Sequence, residues 1–230
     1  MPRRRRIILP GYKYHLTQRG NYQQWVFEDK EDYEYYGSLI NKYSEKYGLE
    51  VLSYCLMGNH VHFIVQPVLG ESISQTFQTV NMRYAQYFND KKKTKGHLWQ
   101  GRFYACTLGG SHLKKVFRYV EMNPVRAKIV RRCWNYSWSS AAKHVGVEAE
   151  SLICLTDKFN IREIISEGVS WERYLMEDED LEFLERMRLM TKKGLVIGSS
   201  KFVESLEDKL GISLRINKGG RPRKDSNTFH

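Results

Sequence analysis

Alternating and helix-periodic apolar residues divide the first part of the chain into strands and helices. Residues 12–18 alternate and are rich in aromatics, which predicts a strand. Residues 31–47 carry large apolar side chains at every fourth position, which predicts an amphipathic helix. Two apolar segments, 49–57 and 60–66, flank the turn signal Gly58-Asn59 and therefore predict a β-hairpin.

The same patterns continue to about residue 130. We predict a helix over 72–88, a charged loop over 89–95 and a strand over 98–107. A helix follows from 109 to about 123, and a shorter one from 124 to about 130, because Pro suits the first helical turn. Strands and helices lack the regular crossover spacing of a doubly wound fold. The pattern therefore predicts an α+β fold, an antiparallel sheet with helices packed on it.

The remaining sequence predicts an extension of a different character. We divide the chain into a first domain at 1–140, a mostly helical extension at 141–215 and a basic flexible tail at 216–230. The helices expected in the extension cover residues 159–166, 180–190 and 201–210.

Composition excludes several classes of protein. The 230 residues are 41% hydrophobic and 13% aromatic, which is typical of a globular protein. We expect no membrane segment, because no apolar run has the length of a span. The apolar stretch at the start stops at Leu9, so we expect no signal peptide and a cytoplasmic protein. The four cysteines are widely spaced, which favours free thiols over a zinc cluster.

Charge is distributed unevenly along the chain. Residues 1–147 hold 23 Lys and Arg against 10 Asp and Glu, a net charge of +13. Residues 148–190 hold 5 against 12, a net charge of −7, and residues 191–230 hold 9 against 4, a net charge of +5. The basic segments favour a polyanionic partner such as nucleic acid. For the acidic segment we expect that it packs against the basic face or screens it.

Two histidines share one face of the second hairpin strand. Residues two apart on a strand point to the same side, so His60 and His62 lie together while Val61, Phe63 and Val65 face the core. Two neutral imidazoles in this arrangement can bind one divalent ion. The alternative is a pair of ordinary histidines on a half-exposed strand.

A tyrosine and an asparagine share one face of the helix that ends near Pro124. Tyr119 and Asn123 are four residues apart and flank an apolar stripe. The stripe consists of Leu113, Val116, Phe117 and Val120. A phenol is a weak nucleophile at pH 7, and a cation beside a phosphate can help it. His60, His62 and Asn123 are candidate ligands of Mg²⁺ or Mn²⁺, and two imidazoles favour Mn²⁺ in vitro. The alternative for Tyr119 is packing.

Basic and aromatic residues elsewhere are candidate DNA contacts. The run 98–103 mixes Trp99 with Arg102, which suits stacking on unpaired bases, although a Trp in the core is an equal alternative. Gly-Gly-Arg-Pro-Arg-Lys at 219–224 resembles a minor-groove-binding AT-hook. The predicted DNA-binding residues are Arg3, Arg4, Arg5, Arg6, Arg19, Trp99, Arg102, Lys114, Lys115, Arg118, Arg126, Arg221 and Arg223.

Taken together, these motifs resemble the REP-associated tyrosine transposases, a branch of the single-tyrosine HUH transposases. The similar blocks occur in one order along the chain. They are residues 14–21 (YHLTQRGN), 54–62 (YCLMGNHVH), 99–103 (WQGRF), 118–127 (RYVEMNPVRA), 136–140 (YSWSS) and 220–224 (GRPRK).

The resemblance implies a ferredoxin-like sheet with helices on one side, and a catalytic domain at 1–140. It implies Tyr119 as nucleophile, His60 and His62 as metal ligands and Asn123 as the third ligand. The expected partner is single-stranded or hairpin DNA of the repetitive extragenic palindrome type. The expected reaction is cleavage through a 5′-phosphotyrosine, followed by rejoining. We expect a monomer, with a homodimer as the alternative.

Three other functions remain open from the sequence. A replication initiator or relaxase would use the same chemistry but usually carries larger companion domains. A hairpin-DNA binding protein could keep the fold without cleaving. A metal-dependent phosphodiesterase could use water in place of Tyr119, and a covalent protein–DNA adduct separates it from a transferase.

Overall fold

Four strands form an antiparallel sheet with the strand order of a ferredoxin-like fold. The computed structural model describes residues 8–147 and 151–214. Its first elements are β1 (Lys13–Arg19), α1 (Lys30–Tyr47), β2 (Leu49–Met57), β3 (His60–Pro67), α2 (Ser72–Lys92) and β4 (Tyr104–Leu108). The strands lie in the order β2-β3-β1-β4, and every neighbouring pair is antiparallel. The predicted α+β fold and its β-hairpin are confirmed.

The later elements add helices and one further strand. They are α3 (Leu113–Glu121), α4 (Asn123–Arg126), α5 (Ala141–Val145), α6 (Trp171–Leu175), α7 (Leu181–Lys193), β5 (Val196–Ile197) and α8 (Ser200–Leu210). The predicted helical extension is therefore confirmed. β5 pairs with β4 in parallel, so the five-stranded sheet is mixed. The predicted antiparallel sheet is thus extended at one edge by a parallel strand, which is too short to show an alternating pattern.

Helices cover both faces of the sheet, whereas the family resemblance implied one. On β3, Phe63 and Val65 join a core cluster with residues of α1 and α2. Ile64 points the other way and joins a second cluster with residues of α3, α6 and α7. Helix α3 and the helices of the extension thus fill the face that the first two helices leave open. Within the described residues, no helix is long and apolar enough to cross a membrane.

Several element boundaries differ from the prediction. α2 continues through the predicted loop to Lys92, since Lys91 pairs with Asp29 and Asp32 at 2.6 and 2.7 Å and lysines suit a helix C-terminus. Residues 98–103 form no strand beyond one bridge between Trp99 and β1's neighbour Gly20. The predicted helix over 124–130 is only the short α4.

The observed elements also differ in their bounds from the helices predicted over 159–166, 180–190 and 201–210. The first is a short 3-10 turn, while the other two are α7 and α8. Three cysteines are buried free thiols, and Cys154 is exposed. The tail at 216–230 lies outside the described residues, and the boundaries between the three predicted domains stay a prediction.

Candidate metal and tyrosine site

The four predicted site residues line one cavity of about 610 Å³ between the sheet and helix α3. His60 and His62 reach it from β3, while Tyr119 comes from α3 and Asn123 from the start of α4. The ring centroids of His60 and His62 are 4.9 Å apart, and those of His62 and Tyr119 are 5.6 Å apart. The structure therefore brings the strand face and the helix face together as the sequence pattern predicts.

A buried carboxylate fixes the orientation of α3. Glu121 is fully buried and accepts hydrogen bonds from Ser140 Oγ at 2.7 Å and Trp171 Nε1 at 2.8 Å. His144 Nδ1 lies 2.5 Å from the same carboxylate. These polar contacts lie beside the apolar stripe that packs on the sheet, so they restrict rotation of the helix that carries Tyr119.

Each histidine of the pair has its Nδ1 occupied by a neighbouring side chain. His60 Nδ1 donates to Asn59 Oδ1 at 2.6 Å, and His62 Nδ1 lies 2.9 Å from His15 Nε2. Nε2 is therefore the remaining ring nitrogen of both residues. Burial, reinforced by Arg19, lowers the pKa of His60 to about 4. Burial and the neighbouring imidazoles hold the pKa of His62 well below its usual value, so both rings are neutral at pH 7.

Asn123 lines the same cavity, and its amide nitrogen is already hydrogen-bonded. Its Nδ2 donates to the carbonyl oxygens of Tyr119 and Val120, each at 2.9 Å, so Oδ1 is the atom left to accept or coordinate. Among the described residues, no group of three His, Cys, Asp or Glu side chains could hold a metal ion. The amide oxygen is the candidate third ligand beside His60 and His62. Two neutral imidazoles and one amide oxygen fit a divalent ion such as Mn²⁺.

The Tyr119 phenol is buried among rings and cations. Its ring meets His15 and His62 edge-on, and the guanidinium carbon of Arg126 lies 4.9 Å from its centroid. Burial raises the pKa of Tyr119, and the charges of Arg126 and Arg188 oppose that rise. The phenol is therefore protonated at pH 7 in this state, with two cations placed to stabilise its ionised form.

Helix α7 supplies part of the cavity wall, which the sequence reasoning missed. Arg188, Thr191 and Lys192 line the cavity together with Arg19 and Arg126. The spacing of the three α7 residues places them on one helix face. That spacing was the available signal, and it does not distinguish a site from an ordinary solvated face.

Four other predicted DNA contacts, three on α3 and Arg126 on α4, lie against residues 174–180 of the acidic segment. Lys115 Nζ lies 2.7 Å from Asp180, and Arg126 lies 2.5 Å from Glu179. Arg118 is buried and donates to the carbonyl oxygen of Asp178 at 2.8 Å, while Lys114 lies over the ring of Tyr174. This part of the acidic segment thus packs against basic residues of α3 and α4.

Trp99 lies in the core and not on a surface. Only 9% of it is exposed, and its Nε1 donates to the carbonyl oxygen of Asn81 at 3.2 Å. The structure therefore agrees with the alternative of a core tryptophan, and too little of the ring is exposed for stacking on a base. Arg102 lines other cavities than the one around Tyr119. Arg3, Arg4, Arg5, Arg6, Arg221 and Arg223 lie outside the described residues.

Two exposed aromatic residues lie in the loop that follows β1. Tyr22 is 94% exposed and Trp25 is 65% exposed. The loop is attached to the Gly58-Asn59 turn, since Val26 N donates to Gly58 O at 2.7 Å and Asn59 Nδ2 donates to the carbonyl oxygen of Gln23 at 3.3 Å. The Trp25 ring lies directly beside Gly58, two residues before His60.

A comparison of the whole chain with protein-family models finds a matching family. Residues 9–123, half of the chain, match the family model described as "Transposase IS200 like". This range contains His60, His62, Tyr119 and Asn123. No curated protein matches the chain.

Two solved structures are similar to this chain. The structure of a REP-associated tyrosine transposase bound to a REP hairpin has a TM-score of 0.52 and 17% identity, covering 74% of this chain and 97% of the other. A candidate transposase from Deinococcus radiodurans R1 has a TM-score of 0.37 and 18% identity, covering 56% and 92%. The first likeness shows a shared fold, and the second is too low to support an argument.

Proposed function

The chain belongs to the IS200-like transposase family, and we propose that it cleaves and rejoins single-stranded DNA beside a hairpin. One observation carries this proposal: the Tyr119 ring meets His62 edge-on in the cavity that His60 and Asn123 also line. A nucleophile and three ligand atoms on the adjoining elements β3, α3 and α4 can act on one phosphate.

In this proposal, His60, His62 and Asn123 hold a divalent metal, Mn²⁺ or Mg²⁺. When bound, the ion would draw negative charge from the scissile phosphate and stabilise the leaving oxygen. The support is the set of donor atoms, namely two neutral imidazoles with Nδ1 already engaged and an amide with Oδ1 left.

Tyr119 is the proposed nucleophile. Its Oη attacks the phosphorus, the bond from phosphorus to the 3′ oxygen breaks, and that oxygen takes up a proton to become a 3′-OH. The phenol loses its proton, and a 5′-phosphotyrosine link forms. In the reverse step a 3′-OH attacks the phosphorus and expels the tyrosine. The phosphodiester bond energy is kept in the link, so no external energy source is needed.

The DNA partner is proposed to be a hairpin with an adjoining single strand. The solved relative is bound to a REP hairpin, and four cations of this cavity could contact phosphates. They are Arg19, Arg126, Arg188 and Lys192. Tyr22 and Trp25 take the stacking role proposed from sequence for Trp99, since exposed aromatic rings stack on unpaired bases of any sequence.

The test mixes the full chain and Mn²⁺ with single-stranded hairpins from repeats that flank its gene, labelled at the 5′ or 3′ end. A denaturing gel should show a covalent adduct on the 3′ fragment only. Tyr119→Phe should abolish the adduct. Tyr104→Phe is the matched control, because Tyr104 lines the same cavity and should leave the adduct in place.

Two other outcomes would replace the proposal. Cleavage without an adduct that survives in Tyr119→Phe would indicate a hydrolytic phosphodiesterase. Tight hairpin binding without cleavage in Mn²⁺ or Mg²⁺ would indicate a binding protein of the same fold.

A further inference from the structure

A chain of hydrogen bonds connects His62 to helix α7. His62 Nδ1 lies 2.9 Å from His15 Nε2, and His15 Nδ1 lies 3.0 Å from Thr191 Oγ1. The three side chains come from β3, β1 and α7 and are 5%, 0% and 3% exposed. Water therefore does not compete for these bonds, and each polar atom depends on its neighbour in the chain.

The strand register makes the first contact. His62 pairs with Thr17, and His15 pairs with Ile64, so the two histidines are diagonal neighbours on one face of adjacent strands. Their rings stack with centroids 5.2 Å apart. Side chains at diagonal positions of neighbouring strands are close enough to touch. The pairing of β1 with β3 therefore fixes the position of His15 relative to His62.

The chemistry of a neutral imidazole fixes the direction of the bonds. Such a ring has one N–H and one lone pair, and only the lone pair binds a cation. If His62 binds metal through Nε2, its N–H lies on Nδ1 and is donated to His15 Nε2. The single N–H of His15 then lies on Nδ1 and is donated to Thr191 Oγ1. The reverse direction would place a proton on His62 Nε2 and block coordination.

We propose that His15 and Thr191 are positioning residues that hold His62 in the tautomer with a free Nε2 lone pair. The inference rests on the proposed function, because it presupposes that His62 binds a metal. It adds that the extension takes part in building the site, since Thr191 lies beyond residue 123, where the family match ends.

The second histidine supports this reading. His60 Nδ1 must donate to Asn59 Oδ1, because that carbonyl oxygen can only accept, and this leaves the lone pair on Nε2. Both histidines thus have a partner at Nδ1, as metal-binding histidines usually do. If His15 were only a packing residue, a ring of equal size would replace it without effect on metal binding.

The test measures Mn²⁺ binding to the full chain by calorimetry in the absence of DNA. His15→Phe keeps an aromatic ring but removes the acceptor, and should weaken Mn²⁺ binding by roughly 10- to 100-fold. His15→Gln keeps an acceptor for His62 and should stay within about threefold of wild type. Thr191→Val is nearly isosteric and should fall between them. Thermal unfolding without metal checks that each variant is folded.

A second readout is the tautomer of His62, read from ¹⁵N NMR of the imidazole nitrogens in metal-free protein. We expect the proton on Nδ1 in wild type and a shift toward Nε2 in His15→Phe. A proton on Nε2 of His62 in wild type would overturn the inference, as would unchanged Mn²⁺ affinity in His15→Phe.

These results separate the inference from the proposed function. Mn²⁺ binding that is lost in His60→Ala and His62→Ala but unchanged in His15→Phe would overturn the inference alone. If wild type bound no Mn²⁺, the proposed metal role would fail, and the inference with it.

Discussion

Arg126 controls how readily the Tyr119 phenol can ionise. Its guanidinium lies over the ring, 4.9 Å from the centroid, and also donates to the Tyr119 carbonyl oxygen. Burial raises the pKa of Tyr119, and the positive charge of Arg126 is the largest opposing effect. Replacing Arg126 by methionine removes the charge while keeping a long side chain. The pKa of Tyr119 should then rise further, because the phenolate loses the charge that opposes the rise most strongly.

The size of the effect follows from the distance. At the 4.9 Å between the Arg126 guanidinium carbon and the ring centroid, two unit charges interact by roughly 3 kcal/mol at an effective dielectric constant of about 20. This corresponds to about two pH units in the pKa of Tyr119. Arg126 also pairs with Glu179 at 2.5 Å, which reduces its net field at the phenol. We therefore expect an increase of about one to two pH units.

Two assays read this change. NMR of ¹³Cζ-labelled tyrosine gives the ionisation of Tyr119 directly, with the resonance assigned by its absence in Tyr119→Phe. The pH profile of adduct formation should shift to higher pH by the same amount, and the rate at pH 7 should fall about 10- to 100-fold. Arg126→Lys keeps the charge and should shift both profiles less.

The reasoning would be refuted by a folded Arg126→Met protein whose Tyr119 titrates at the wild-type pH. A shifted titration with an unchanged rate profile would show instead that ionisation of Tyr119 does not limit adduct formation.

Four further predictions test other parts of the structure. Glu121→Gln should lower the free energy of unfolding in urea by about 1.5–3 kcal/mol at pH 7; because the native contacts lower the pKa of Glu121, the difference should vanish as pH falls through that pKa. Trp25→Leu and Tyr22→Leu should each weaken single-strand binding by roughly 5- to 100-fold in fluorescence anisotropy, whereas phenylalanine at either position should not. Asp180→Asn keeps the helix cap but removes a charge that pairs with a lysine of α3, so hairpin affinity should rise, most clearly at low salt. A thiol reagent should label Cys154 fast and the three buried cysteines slowly, as mass spectrometry of labelled peptides would show.

Local patterns were sufficient to predict the pair of elements that carries the site. The alternation on β3 separates His60 and His62 from Phe63 and Val65, and the structure places Phe63 and Val65 in the core against α1 and α2. The apolar stripe on α3 likewise determines which side of the helix meets the sheet, and so where Tyr119 must lie. Both predictions work because a buried face imposes a period that is visible within a few residues.

The location of Trp99 could not be decided in this way. A tryptophan in a short mixed segment has the same local pattern whether it is buried or exposed. Its burial depends on rings from α1 and α2, since the centroids of Tyr36 and Tyr84 each lie 6.1 Å from it. Conversely, the exposed Tyr22 and Trp25 lie in a loop that no periodicity describes.

The contribution of α7 depends on a contact between distant parts of the chain. Thr191 and His15 are 176 positions apart, and the pattern of α7 predicts a helix but not its neighbour. The short strand β5 decides the placement: Gly194 ends the helix with φ of +65°, and Val196 and Ile197 then pair with β4. Because β4 is the neighbour of β1, this pairing brings the last turn of α7 over His15. Two residues with no readable pattern therefore determine which helix completes the site.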